Sequence, residues 1–295
     1  MEVLLDALKD TLIVFPFILL IYMLIELLEN GTTAAKSRRA LQGPLAPLIG
    51  SATGIIPQCG FSVMAAKLYD SGLIRTGTIM AVFLATSDEA LIILLVNSPL
   101  SAQAAQSILP LILIKLLVAV SAGYLINLII PDKHAEVQPL YSRDGEITSY
   151  SCGHDHAGKS SVRLYIVEPL LHALKVTAFI LIVNLVLGFI IAEVGEETIA
   201  NGLIGGAYIQ PFITAAVGLI PNCASSTVIT ETFVKGGITF GSCIAGLCTN
   251  AGLGLVVLLK NTKKLKRNIL LIASMYAISV LVGIVINVVY AAVGM

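Results

Sequence analysis

Tryptophan is absent from this chain, and only 12% of its 295 residues are charged. A soluble domain of ordinary composition carries about twice that share of charge, so the scarcity excludes one. Eighteen basic residues balance eighteen acidic ones, and no basic cluster is interleaved with aromatics. The chain therefore lacks the electrostatic footprint of a nucleic-acid binder. A sugar or amino-acid site would be expected to use more aromatic stacking and more arginine than a chain with no tryptophan and almost no arginine in its apolar segments offers. No short, Lys/Arg-headed apolar leader with a small-residue cleavage site begins the sequence. Glu2, Asp6, Lys9 and Asp10 precede a long apolar run, which is expected to serve as an uncleaved insertion signal.

What the chain has instead is hydrocarbon: 57% of residues are hydrophobic and mean hydropathy is +0.92. An all-α polytopic membrane protein is expected, because helices satisfy their backbone groups within lipid. Residues 11–28, 107–130, 164–192 and 269–293 are apolar runs long enough to span. Residues 76–96 and 238–259 are also long enough, but the first is interrupted by Ala85-Thr86-Ser87-Asp88-Glu89-Ala90 and the second by Cys248-Thr249-Asn250-Ala251-Gly252.

The sequence is written twice. Gly54-Ile55-Ile56-Pro57-Gln58-Cys59 returns 164 residues later as Gly218-Leu219-Ile220-Pro221-Asn222-Cys223, and at that offset Ser62 matches Ser226, Gly72 matches Gly236 and Gly77 matches Gly241. Upstream, Leu5 to Thr11 is echoed by Leu171 to Thr177, with Ala-Leu-Lys in both. The expected organisation is a first repeat over 1–131, a cytoplasmic Cys/His linker over 132–162, and a second, inverted repeat over 163–295. Residues 45–70 and 203–235 are apolar but split by the Pro-amide-Cys turn into pieces too short to cross, which read as re-entrant hairpins or as two short tilted helices. Either reading gives an odd number of crossings per half, so tandem copies must insert upside down relative to one another. The loops agree. The loop after the first helix is basic in one half (Lys36, Arg38, Arg39) and acidic in the other (Glu193, Glu196, Glu197). The loop before the last helix is uncharged in the first half and basic in the second (Lys260, Lys263, Lys264, Lys266, Arg267). Positive-inside bias then places both termini outside and the linker in the cytoplasm, in a multi-pass protein of the cell's inner membrane.

If the halves face each other, their broken segments converge. The candidate binding residues are Gln58, Cys59, Ser62, Thr86, Ser87, Asp88 and Glu89 from one half, and Asn222, Cys223, Ser225, Ser226, Thr249 and Asn250 from the other. Two successive carboxylates in a spanning segment require a partner, a proton or a cation, since one charge at a helix centre costs at least about 2.5 kcal/mol; the other reading is that the break sits near the interface and both are solvated. Thiolates select soft or borderline ions and carboxylates bind cations, so Cys59, Asp88, Glu89 and Cys223 are candidate ligands of a heavy metal, metalloid or divalent transition metal. Helix N-termini leave an anion open as well. Cys152, His154 and His156 in the linker have metal-compatible spacing, and a plain solvated linker stands beside that reading. Cys243 and Cys248 read as packing, and Lys9 and Lys175 as interfacial anchors or gate charges.

The Pro-Gln-Cys-Gly and Pro-Asn-Cys-Ala turns, the two Leu-x-Ala-Leu-Lys-x-Thr helix starts and the Cys/His-bearing central loop resemble the ten-helix heavy-metal exporters of bacteria and archaea, known as arsenic efflux or manganese transport proteins. The resemblance implies a permease exporting a toxic metal or metalloid. Ten helices result when each hairpin counts as two. With neither a phosphate-binding loop nor an Asp-Lys-Thr-Gly phosphorylation motif, energy would come from an ion gradient, with Asp88 or Glu89 carrying the proton. No enzymatic activity and no cofactor are expected, the metal being cargo. Expected partners are membrane lipid, the cargo and the proton gradient, and a homodimer is compatible. The alternative is a thiol-disulfide electron conductor using Cys59 and Cys223, which leaves the acid pair without a role. An uncoupled channel or scaffold is a third class.

Overall fold

The computed structural model describes residues 42–56, 59–86, 90–97, 102–129, 206, 208–260 and 264–293, with isolated helical positions between 8 and 23 and between 170 and 203. Among the described residues there is no strand, and ten helices can be delimited. The first half holds α1 (Ala46–Gly54), α2 (Cys59–Asp70), α3 (Thr76–Ala85), α4 (Ala90–Asn97) and α5 (Ala102–Ile129). The second holds α6 (Gln210–Gly218), α7 (Cys223–Val234), α8 (Phe240–Thr249), α9 (Leu253–Lys260) and α10 (Leu265–Val293). Element for element, the halves repeat within a residue or two of the sequence offset. The predicted spans over 11–28 and 164–192 fall mostly outside the described residues, and each position described within them is helical.

The first two delimited helices of each half are short, of 9 and 12 residues, about 13 and 18 Å long at 1.5 Å per residue. Neither could cross a hydrocarbon core of about 30 Å. Their outer ends lie together. Gln42 Nε2, just ahead of α1, donates to Gly72 O beyond α2 at 2.9 Å. In the second half Gln210 Nε2 donates to Gly237 O at 3.2 Å while its Oε1 accepts from Thr239 N at 2.9 Å. Both pairs enter and leave on one side, which makes them re-entrant hairpins and not tilted spanning helices. A proline in the first turn starts each inbound arm, where its missing N–H costs nothing. Each outbound arm ends in the same stop. Leu73 N bonds Leu68 O and Gly72 N bonds Tyr69 O, and Gly237 N bonds Thr232 O while Gly236 N bonds Phe233 O. This 6→1, 5→2 pairing needs a left-handed residue, and Gly72 and Gly236 supply it at φ +72° and +75°.

Every residue of α3 and α8 is buried, as expected of helices apolar all round. The long helices α5 and α10 flank them and turn one face outward. Leu109, Leu113, Leu117 and Leu128 on α5, and Ile269, Leu270, Leu281 and Val285 on α10, are exposed and form the lipid face. End to end, α3 with α4 and α8 with α9 give two apolar stretches of spanning length, Thr76–Leu95 and Phe240–Lys260. With α5 and α10 these make four candidate spans among the described residues, and the chain is a multi-pass helical membrane protein.

Gly77 fixes the approach of α3 to α5: a Cβ there would stand 2.0 Å from Gly123 O, and one at Gly241 would stand 2.4 Å from Gly283 O. Between the halves, α2 packs on α9, α4 on α7, and α3 on α8. The direction of approach is fixed by α10. Its N-terminal Arg267 bonds Thr76 at the start of α3, whereas Gly283 and Asn287, sixteen and twenty residues further on, meet Gly241 at the start of α8. So α3 and α8 begin about 24 Å apart along α10 and run toward a common point.

Candidate functional site

That point is built from helix ends. The last four carbonyls of a helix have no partner within it. Here α3 stops at Ala85 and α8 at Thr249, inside the apolar span. Thr86 Oγ1 turns back onto Val82 O at 2.8 Å. Thr249 Oγ1 bonds Ala245 O and Gly246 O on its own helix and Ala215 O on α6, at 2.9 to 3.2 Å. Beyond the α8 break, Asn250 Oδ1 accepts from Gly252 N at 3.0 Å, an Asx-type turn with Gly252 at φ +52°.

The hairpin tips reach the same level. Asn222 caps α7 by accepting from Ala224 N at 3.0 Å, an N-cap role that amide side chains fill well. Ser225 Oγ donates to Asn222 O at 2.7 Å, and Asn250 Nδ2 donates to Ser225 Oγ at 3.3 Å. On the other side of the same break Gly254 lies against Ser62, where an added Cβ would fall 2.8 Å from both Ser62 Cβ and Ser62 O. The α8–α9 break is therefore held between both tips, the one from its own half through Ser225 and the one from the other half through Ser62. Ser62, Thr86, Ser225, Ser226, Thr249 and Asn250 are all buried.

Of the sequence-predicted residues, the structure thus joins Asn250 to Ser225 directly and brings Ser62 to the α8–α9 break. Thr86 sits at the corresponding break of the first half. Cys59 and Cys223 are the first residues of α2 and α7, and their thiols lie outside the described side chains. Gln58, Ser87, Asp88 and Glu89 lie outside the described residues, as do Cys152, His154 and His156. Among the described residues no group of three His, Cys, Asp or Glu side chains forms a metal cluster. Cys243 and Cys248 are free and fully buried on α8, in keeping with a packing role.

One central residue escapes motif reading. Lys115, midway along α5, has no exposed surface, and its ammonium donates to Thr86 O and to Leu247 O, the latter at 2.7 Å. It joins the C-terminal turns of α3 and α8. The signal available in the sequence is a single lysine inside Leu111-Ile112-Leu113-Ile114-Lys115-Leu116-Leu117, a charge that a spanning helix carries only for a reason.

Broken helices and re-entrant hairpins meeting at a buried polar point, in a bundle with a lipid-facing shell, are the architecture of a membrane transport protein. Over residues 1–167 the chain matches the family model described as "Putative, 10TM heavy-metal exporter", and it belongs to that family, which is one of exporters and not of enzymes. Neither a curated protein nor a solved structure matches the chain.

Proposed function

We propose that the protein is a secondary active exporter that binds a heavy metal, metalloid or divalent transition metal, of the manganese or arsenic kind, between its two halves and exchanges it for protons. The binding set is Gln58, Cys59, Ser62, Thr86, Ser87, Asp88 and Glu89 with Asn222, Cys223, Ser225, Ser226, Thr249 and Asn250. Soft ligation comes from Cys59 and Cys223 and charge neutralisation from Asp88 and Glu89. The carrying observation is the α8–α9 break held between both hairpin tips, by Asn250 on Ser225 and by Gly254 on Ser62. A movement of one half against the other must remake those contacts, which is what alternating access requires.

In this reading the halves are inverted repeats. Support comes from α3 and α8 starting at opposite ends of α10, and from charge. The base of the first hairpin lies against the basic start of α10, where Lys264 Nζ donates to Asp70 O at 2.8 Å. That face is the cytoplasmic one. It then carries Lys36, Arg38, Arg39, the 132–162 linker and its Cys152, His154 and His156, which gather metal ahead of export. Both termini lie outside, in the inner membrane.

The test is flux into inside-out vesicles, preceded by a tolerance screen of a sensitive host against manganese, zinc, arsenite and organoarsenicals. One element is expected to be exported, with flux that depends on the pH gradient. Asp88→Asn or Glu89→Gln is expected to abolish flux, Cys59→Ser with Cys223→Ser to leave a part, and Asn250→Ala to lower it at least tenfold. Protection against none of the elements overturns the proposal, as does flux indifferent to both carboxylates.

A further inference from the structure

We propose that the meeting point of the α3 and α8 C-termini is a monovalent-cation site that the chain fills with its own ammonium, Lys115. A helix C-terminus carries about half a negative charge in its unpaired carbonyls, and two such ends face one another here inside an apolar span. Carbonyl oxygens in that arrangement replace the hydration of an alkali or ammonium ion. Lys115 Nζ takes one carbonyl from each half, Thr86 O and Leu247 O. It is a ligand-like bridge across the boundary that the proposed transport movement would have to work against.

The charge is not there to fill space. Gly123 and Asn127 stand to Gly77 as Gly283 and Asn287 stand to Gly241, and in that register Lys115 corresponds to Met275, also fully buried. An unbranched apolar side chain of similar length therefore packs at the matching position of the second half. The difference between the two positions is one positive charge, and it stands where Thr86 O and Leu247 O meet. Among the described residues, the ionisable groups near the ammonium include the thiols of Cys243 and Cys248 on α8. Asp88 and Glu89 follow Thr86 by two and three residues along the chain.

Where related architectures hold a free alkali ion at unwound backbone, this chain supplies the cation covalently. Resting on the exporter reading, it follows that flux needs no sodium or potassium. Thermal unfolding of the purified full-length protein tests the site without any cargo. Wild type is expected to unfold at the same temperature in sodium, potassium or choline salts. Lys115→Ala is expected to unfold about 5–10 °C lower in choline and to regain at least half of the loss in sodium, potassium or n-propylammonium, the last being the group removed. It should regain none in n-propanol. Lys115→Met is expected to lose stability that no cation restores. If Lys115→Ala does not fold, Lys115→Gln is read in its place against Lys115→Met. The site is refuted if Lys115→Met or Lys115→Gln is as stable as wild type, if no cation rescues Lys115→Ala, or if n-propanol rescues it equally. Those outcomes leave the export assay untouched, and failure to export any element leaves the thermal result standing.

Discussion

Two pairs of repeated glycines do different physical work, and substitution separates them. Gly236 needs its left-handed backbone but has nothing within 4 Å of an added Cβ. Gly236→Ala is therefore expected to cost only about 1–2 kcal/mol, the left-handed penalty. Gly241 sits where a Cβ would meet Gly283 O and Asn287 Oδ1 at 2.4 Å, so Gly241→Ala must push α8 from α10 and is expected to cost about 3 kcal/mol or more. Thermal denaturation in detergent reads both, and equal losses would contradict the distinction. At this scale much was legible in the chain. The repeated Gly72/Gly236 and Gly77/Gly241 stand in the sequence as identities, and the fold gives each a cause. Lys115 was legible in principle but is swamped, because one lysine barely lowers the hydropathy of a 28-residue helix. Its partners, Thr86 and Leu247, are 29 and 132 residues away, so no local pattern announces them.

Between elements, the start of α10 is pinned to the base of the first hairpin by contacts of unequal worth. Arg267 stacks 5.0 Å from the Tyr69 ring centroid and donates to Thr76 Oγ1 at 2.6 Å. Lys264 and Asp70 stand 3.9 Å apart and are each about a third exposed. Arg267→Ala is expected to destabilise by about 2 kcal/mol and Lys264→Ala by less than about 1 kcal/mol, measured as before. A larger effect of Lys264 would mean that the surface pair governs. The sequence divides each hairpin into arms at the Pro-amide-Cys turn and places the helix breaks at Thr86 and Asn250. It leaves hairpin and tilted pair equally open, since the choice depends on Gln42 meeting Gly72 and Gln210 meeting Gly237. Those are contacts between loops that periodicity does not encode.

For the whole molecule, the proposed orientation makes a prediction that needs no knowledge of cargo. Cys152 lies in the polar linker, and the other four cysteines lie in apolar sequence. A membrane-impermeant maleimide should label Cys152 in inside-out vesicles and spare it in right-side-out ones, with Cys152→Ser as the control. Labelling from the outer face would reverse the assigned topology. An ideal duplicate would have two access states of equal energy, one for each half taking the other's place. With a lysine on α5 and a methionine at the matching turn of α10, exchanging the halves would carry an ammonium away from its carbonyls and leave a thioether behind. On the exporter proposed above, the two states would then be unequal, and a single side chain would set which of them the protein rests in.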